Sequence, residues 1–301
     1  ACGAASADPP ALAEQPQLAA AAVARLVENK TVREELQADA RKRAEKRSFA
    51  AVAAELGGIY RGLCKRRRAP RKQSADPLAG REWILCDLHM HTSSSPDCSV
   101  EVDDLLDHAE EIGLGAIAVT DHNVFAGAPE AASKARSRKL IVIAGEEIKT
   151  DGQGEVIGLF LEKEIPRGLS FAETLEAIHE QGGLVYVPHP FDRLHSVPDS
   201  LTLRRHLAEI DAFEAYNARL VFETFNDEAL RFARKYNLIM GAGSDAHVLQ
   251  GVGTGCVHMR RFESPEEFLI SLHGAEIVRR PRSLVYLQSL KWAAQVKERT
   301  R

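Results

Sequence analysis

From Trp83 onward, short apolar runs alternate with amphipathic stretches, and this alternation constrains the fold more than any other feature of the chain. Runs of strand length occur at Ile84–Leu88, Ala116–Thr120, Leu140–Ala144, Val156–Leu161, Leu184–Val187, Ala212–Ala215 and Leu238–Gly241, with a further one at Gly255–Met259. Helical periodicity between them predicts helices over Val102–Ile112, Ala128–Ser137, Phe171–Gln181, Thr224–Tyr236 and Pro265–Leu272. Ser170 with Glu173 has the spacing of a capping box, and Ser264 before Pro265 supplies a cap followed by a proline in the first turn. Such alternation argues for parallel βα units, and about seven of them fit a closed or distorted (β/α) barrel. No G-x-G-x-x-G follows the first strand and no P-loop occurs, which disfavours a nucleotide-binding open sheet.

Residues with coordinating chemistry keep phase with those strands. Asp87, His89 and His91 end the first, and Asp121 and His122 follow the second. Glu146 and Glu147 follow the third, His189 the fifth, Glu214 and Asn217 the sixth, and Asp245 and His247 the seventh. In a parallel barrel all these ends open on one face, the usual place for an active site. His89-x-His91 puts two imidazoles on one side, because strand side chains alternate. Asp245-Ala246-His247 repeats that spacing with a carboxylate, and His189 stands between two φ-fixing prolines. Glu147 ends an apolar run, where an unpaired carboxylate would be costly and a cation is the natural partner. Taken singly, each has an ordinary reading as a loop histidine, a turn aspartate or a cap. Surface histidines that were independent of one another would have no reason to share the phase.

Upstream, residues 1–64 are rich in Ala, Glu and Arg and hold none of the 11 histidines. Apolar spacing from Leu18 to Leu63 predicts three helices, with a break at Asn29–Thr31 and Ser48 as an N-cap. The run Lys65-Arg66-Arg67-Arg68-Ala69-Pro70-Arg71-Lys72 and the polar stretch after it read as a linker; contact with RNA or a membrane surface is the less plain reading. A net charge of -4 gives no overall pull toward nucleic acid or anionic lipid. No apolar run is long enough to span a bilayer, for which roughly 18 residues are needed. Cys2, Cys64, Cys86, Cys98 and Cys256 are scattered without paired spacing, which points to a reducing, cytoplasmic compartment. The chain opens at Ala1 rather than Met, pointing to a processed piece or an upstream start, and Ala1–Ala22 lacks the pattern of a signal peptide.

In order, Asp87-Leu88-His89-Met90-His91-Thr92-Ser93-Ser94-Ser95-Pro96-Asp97, Thr120-Asp121-His122-Asn123, Gly145-Glu146-Glu147-Ile148, His189-Pro190, Glu214-Ala215-Tyr216-Asn217 and Gly243-Ser244-Asp245-Ala246-His247 resemble the PHP (polymerase and histidinol phosphatase) superfamily. The likeness runs from about Trp83 to Met259. It implies an α/β fold, a distorted (β/α)7 TIM-like barrel with an N-terminal helical extension. It also implies metal ligation by His89, His91, Asp97, His122, Glu147, His189, Asp245 and His247. Glu155 looks like a further ligand position, one often filled by histidine in the family. Asp97, His189 and Asp245 are the expected catalytic set, with Asp87, Asp121 and Asn217 as outer partners that orient ligands. Residues 18–63 resemble, through looser motifs, the last helices of GT-B glycosyltransferases of family 4 type, without the nucleotide-sugar site. The expected organisation is a glycosyltransferase-like helical segment over 1–64, a basic and polar linker over 65–82, and the PHP domain with a C-terminal tail over 83–301.

An imidazole–carboxylate set suits Zn, Mn or Fe better than Mg. Two or three such divalent ions would polarise a phosphate ester and lower the pKa of bound water from about 15.7 toward ~7, giving a metal-activated hydroxide. The expected activity is therefore metal-dependent phosphate ester hydrolysis by in-line attack at a di- or trinuclear centre. A small nucleotide or sugar phosphate is favoured over a polymer, with nucleic acid as the weaker alternative. Arg193 and Arg219 are candidate phosphate clamps, since guanidinium meets phosphate in a fork. Competing readings are a non-catalytic metal-stabilised module fused to a glycosyltransferase, and an amidohydrolase-like enzyme, for which no carboxylated lysine suggests itself.

Overall fold

The computed structural model describes residues 77–299 continuously and, before them, 24, 27–46, 49–50, 52–54 and 56–58. The chain divides into two units, Ala1–Ser74 and Ala75–Arg301. In the first, α1 (Lys30–Lys46) begins where Asn29 Oδ1 accepts the Val32 N–H at 3.2 Å, so the expected break narrows to Asn29. Ser48, the Tyr60 region and the basic run 65–72 lie outside the described residues.

The second unit runs β1 (Trp83–Met90), α2 (Val102–Glu111), β2 (Ala116–Val119), α3 (Gly127–Ala135), β3 (Ile141–Lys149), β4 (Glu155–Leu159), α4 (Phe171–His179), β5 (Leu184–Val187) and α5 (Ser200–Arg205). It continues with β6 (Ala212–Asn217), α6 (Glu223–Tyr236), β7 (Met240–Gly243), β8 (Gly255–Arg260), α7 (Pro265–His273), β9 (Glu276–Arg279) and α8 (Leu284–Arg299). The strands form one sheet in the order β7-β6-β5-β4-β3-β2-β1-β8-β9. Beyond β7 the chain returns to β1: the Asp245 N–H donates to His89 O at 2.8 Å and the His91 N–H to Ala246 O at 3.0 Å. Strands β1–β7 thus nearly close into the expected TIM-like barrel; β8 extends it antiparallel to β1, and β9 antiparallel to β8.

All-parallel pairing fails at one place inside the barrel. β4 runs antiparallel to both β3 and β5. The connection 150–154 is too short for a helical crossover, so it turns as a hairpin, with Gly152 and Gly154 in the left-handed region at φ 71° and 90°. The reversal moves chemistry as well as topology. Glu155, the first residue of β4, pairs with Lys149, the last of β3, and so stands at the same mouth as the ends of the parallel strands. Other departures are smaller. β7 lies two residues beyond Leu238–Gly241, because α6 ends at Asn237 with φ 56° and the next residues only bring the chain back to the sheet. α5, β9 and α8 were not expected, and α8 replaces what read as a tail.

One apolar cluster joins the outer helices to the sheet through residues such as Leu105, Ala131, Leu175 and Phe213. A second joins the strands to each other and to α7 through Leu88, Ile157, Tyr186 and Phe268. β2 and β5 are buried at every position, as barrel strands covered on both faces should be. The expected capping box starts α4: Glu173 N–H donates to Ser170 Oγ at 3.3 Å, and Ser170 N–H donates back to Glu173 Oε2 at 2.9 Å. Phe171, Leu175 and Ile178 then fall on one buried stripe.

Candidate metal centre

Glu147 is the hub of the mouth. Its Oε2 lies 3.2 Å from His89 Nε2, 3.5 Å from His91 Nε2 and 3.0 Å from His122 Nδ1, while its Oε1 lies 2.9 Å from His189 Nε2. Asp245 is the second hub: its Oδ1 is 3.3 Å from His91 Nε2, 3.4 Å from His247 Nδ1 and 3.9 Å from His89 Nε2. Asp97 enters from the loop after β1, with Oδ2 2.9 Å from His247 Nε2 and Oδ1 3.9 Å from His122 Nε2. Glu155 Oε2 closes the far side, 3.7 Å from His189 Nε2. All eight residues expected as ligands, and Glu155 with them, therefore converge. Within this group the ligand atoms of four triads lie within 4.8 Å of one another: His91/His122/His247, His89/Glu147/His189, His89/His91/Asp245 and His122/Glu147/Glu155.

The chemistry of the group fits several cations. The donors are imidazoles and carboxylates, the set preferred by Zn, Mn and Fe. His91 Nε2, His189 Nδ1 and Asp97 Oδ1 are buried and make no hydrogen bond, a costly state that coordination would relieve at His91 and Asp97. Burial, with His247 and His122 alongside, holds His91 well below the usual imidazole range, which leaves a lone pair free for an ion. Burial also opposes charge on His89, but Glu147, Glu214 and Asp245 outweigh it and raise its pKa well above the ordinary value. The negative charge that now favours a proton there would equally favour a metal.

The backbone is shaped for this convergence. His189 and Asp245 sit at φ 25° and 52°, a region that L-residues enter at a cost of about 1–2 kcal/mol. Such strain is retained where surrounding structure enforces it, typically at functional sites. Gly243 is required by close approach: a Cβ there would lie 2.3 Å from His89 Cβ and 2.6 Å from Glu214 Oε1.

The expected outer partners divide by what they touch. Asn217 Nδ2 donates to Glu214 Oε2 at 3.0 Å and to Asp245 Oδ2 at 3.4 Å. Asp121 accepts from Thr92 N–H and Oγ1, both at 2.7 Å, and from Ser95 Oγ at 2.8 Å, fixing the loop after β1. Asp87 accepts from Ser244 N–H and Gly253 N–H, both at 2.9 Å, and so ties β1 to the turn carrying Asp245. Glu214, noted in the sequence only for its position, contacts two of the candidate ligands. Its Oε1 is 3.1 Å from His89 Nδ1, and its Oε2 accepts the His189 N–H at 2.7 Å. Its place three residues before Asn217, at a strand end, was the available signal.

The two candidate phosphate clamps part company. Arg219 belongs to the mouth, with Nη1 3.2 Å from Asp245 Oδ1 and 3.4 Å from His247 Nε2. Arg193 does not: its guanidinium donates to Glu228 on α6 at 2.7 Å and lies over the Phe225 ring, largely exposed. Proximity to His189-Pro190 in sequence carried no information about the direction of that side chain. Conversely, Lys291 of α8, absent from the expected set, donates to Asp97 Oδ2 at 2.7 Å. Nothing in its local sequence marks it.

Comparison with known proteins agrees with this geometry. The PHP domain family model matches residues 87–241, just over half of the chain, and a PHP-associated model matches residues 223–276. An uncharacterised protein of Methanocaldococcus jannaschii is 36% identical over 194 residues, covering 61% of this chain and 76% of its own. Among solved structures, a candidate metal-dependent phosphoesterase of Bifidobacterium adolescentis superposes with a TM-score of 0.50 at 16% identity, over 66% of this chain and 97% of that one. Endonuclease Q, solved with a 27-mer duplex carrying an abasic lesion at its active site, gives 0.50 at 16% identity, over 64% and 57%.

Proposed function

The chain belongs to the PHP domain family, and from that premise we propose that it hydrolyses a phosphate ester using two or three divalent ions held by His89, His91, Asp97, His122, Glu147, His189, Asp245 and His247, with Glu155 as an additional ligand. The observation that carries this reading is the pair of hubs. Glu147 touches four imidazoles and Asp245 three, an arrangement suited to carboxylates shared between neighbouring cations. When bound, the ions would supply Lewis acidity and a water acidified to near-neutral pKa.

The protein's own groups do the rest. Glu214 holds His89 by its Nδ1, which leaves Nε2 for the cluster, and fixes His189 through its backbone. Arg219 lies beside Asp245 and His247, where a fork of N–H donors can meet phosphoryl oxygens and neutralise charge as it redistributes. Asp97, His189 and Asp245 are the proposed catalytic set: Asp97 lies 2.9 Å from the His247 imidazole, Asp245 3.3 Å from that of His91, and His189 2.9 Å from Glu147. A small phosphorylated metabolite is the proposed substrate, with nucleic acid as the alternative that the likeness to endonuclease Q keeps in play.

Protein loaded with Mn or Zn is expected to release phosphate from p-nitrophenyl phosphate and to carry two or three equivalents of metal by elemental analysis. His89→Ala and Asp245→Ala should each lower turnover by more than about 100-fold, since even outer partners of metal ligands are worth about 10–100-fold. Unchanged turnover in both variants would overturn the reading. Cleavage of an oligonucleotide with no release from small esters would move it to the polymer.

A further inference from the structure

Helix α8 forms one wall of a cavity of ≈ 630 Å³ whose opposite wall is the candidate metal centre, through Asp245 and His247. Leu284, Leu287, Gln288 and Lys291 follow helical spacing along one face of α8, and all four line the cavity. The Lys291 side chain is only 11% exposed, and its ammonium donates to Asp97 Oδ2 at 2.7 Å. Arg219 comes from the other side, 3.2 Å from Asp245 Oδ1. His247 stands between the two, 2.9 Å from Asp97 Oδ2 and 3.4 Å from Arg219 Nη1. Two cations thus flank the edge of the cluster that faces the cavity. Burying an ammonium costs several kcal/mol unless paired, so the position of Lys291 is an enforced feature rather than a drifting surface charge.

The cavity has a second character away from the cations. Trp292 and Leu284 of α8, with Val221 and Val248 from the loops opposite, make its walls apolar. The volume falls within the roughly 300–1,000 Å³ of sites that enclose a small organic ligand. A cation pair beside the cluster and an apolar remainder describe an amphipathic guest with an anionic head and a flat or apolar body.

We propose that α8 completes a substrate chamber for a small phosphate monoester, in which Lys291 and Arg219 bind the phosphoryl oxygens and Trp292 packs against the organic group. This rests on the phosphoesterase reading of the cluster and extends it to the kind of ester taken. It also assigns Lys291 a second role: the ammonium that pairs with Asp97 also donates to the phosphoryl oxygens of the bound ester.

Phenylphosphonate, which has the head and body of such an ester but a P–C bond that hydrolysis does not cleave, is the direct probe. The protein contains two tryptophans, Trp83 and Trp292. Trp83 is on β1, its ring tilted against His258 at a centroid distance of 5.0 Å, so Trp83→Phe leaves Trp292 as the sole reporter. Saturating phenylphosphonate should change the Trp292 emission of the metal-loaded full chain. By calorimetry, Lys291→Met should weaken phenylphosphonate binding by roughly 10-fold or more, the size of one lost charge-assisted hydrogen bond. Trp292→Ala should weaken phenylphosphonate but leave methylphosphonate unchanged. Circular dichroism checks that each variant is folded, and Lys291→Arg, which keeps the charge, should recover part of the binding. An emission that does not respond, or binding that is indifferent to Lys291→Met and Trp292→Ala in folded protein, would overturn the chamber. If the wild type binds phenylphosphonate with this dependence yet hydrolyses no ester, the chamber stands and the assigned reaction falls. If it hydrolyses esters with no dependence on Lys291 or Trp292, the reverse holds.

Discussion

Glu147, His89 and Asp245 belong to strands or the turns directly after them and are at most 7% exposed, whereas Asp97, Arg219 and Lys291 come from loops and from α8, with the Asp97 and Arg219 side chains 37% and 32% exposed. The inner group is held by main-chain pairing: Asp245 N–H to His89 O and His91 N–H to Ala246 O are at once the closure of the barrel and the spacing of the ligands. The outer group is held by side chains reaching across from segments far apart in sequence, Lys291 to Asp97 over 194 positions. On the proposed reading, the grip on metal is therefore inseparable from the fold, while Arg219 and Lys291 can be altered without disturbing the barrel. Side-chain loss in the inner group should strike stability and metal together; loss of Arg219 or Lys291 should strike recognition alone, and loss of Asp97, a proposed ligand, should strike metal as well.

Gly243→Ala is the severest way to break that contrast. A single added methyl has His89 Cβ at 2.3 Å, which cannot yield without moving β1, and Glu214 Oε1 at 2.6 Å, which can yield only by shifting its contact with His89. Overpacking of this kind costs about 1–3 kcal/mol or more. Thermal unfolding should show the loss, and elemental analysis should show metal content falling with it; a variant of native stability that retains its metal would show that the ligand spacing is not set by this contact. Glu214→Gln is milder and more selective. The amide keeps the volume but removes the charge facing His89 Nδ1 and puts an N–H donor near either His89 or the His189 N–H. Metal affinity, measured by competition with a chelator, should weaken by about 10–100-fold while the fold persists. Unchanged affinity would mean that the Glu214 carboxylate does not tune the ligands it touches.

The same division governs what could be read from sequence. The convergence of the strand-borne candidate ligands was legible because strand periodicity and strand ends impose a phase, and His89, His91, Glu147, His189, Asp245 and His247 all keep it. The barrel was legible for the same reason, with one reversal missed: the connection 150–154 has no room for a helix, and an antiparallel β4 follows from that shortness. Asp97 and Arg219 of the loops were named from motif and position, but Arg193 and Lys291 could not be placed, because neighbourhood in sequence does not specify the direction of a long side chain. Arg193 follows His189-Pro190 closely yet is taken by Glu228 of α6, while Lys291 lies on a weakly amphipathic helix with no motif and reaches the cluster. Glu155 was found through resemblance alone, since only the reversal of β4 explains how the start of a strand reaches the mouth.

The smallest effect comes from a site that serves the barrel without touching the mouth. Ser170 caps α4 by accepting the Glu173 N–H, and its own N–H is satisfied by the Glu173 carboxylate. Ser170→Ala removes the first of these bonds and leaves α4 to be held by the burial of Phe171, Leu175 and Ile178. Losing one cap in a domain of this size should lower Tm by roughly 2–4 °C. Because α4 lends no ligand, metal stoichiometry and turnover should stay at the wild-type level below the transition. A loss of metal in Ser170→Ala comparable to that in Glu214→Gln would mean that the ligands depend on the stability of the whole barrel, and the distinction between a fold-borne grip and a side-chain-borne rim would have to be abandoned.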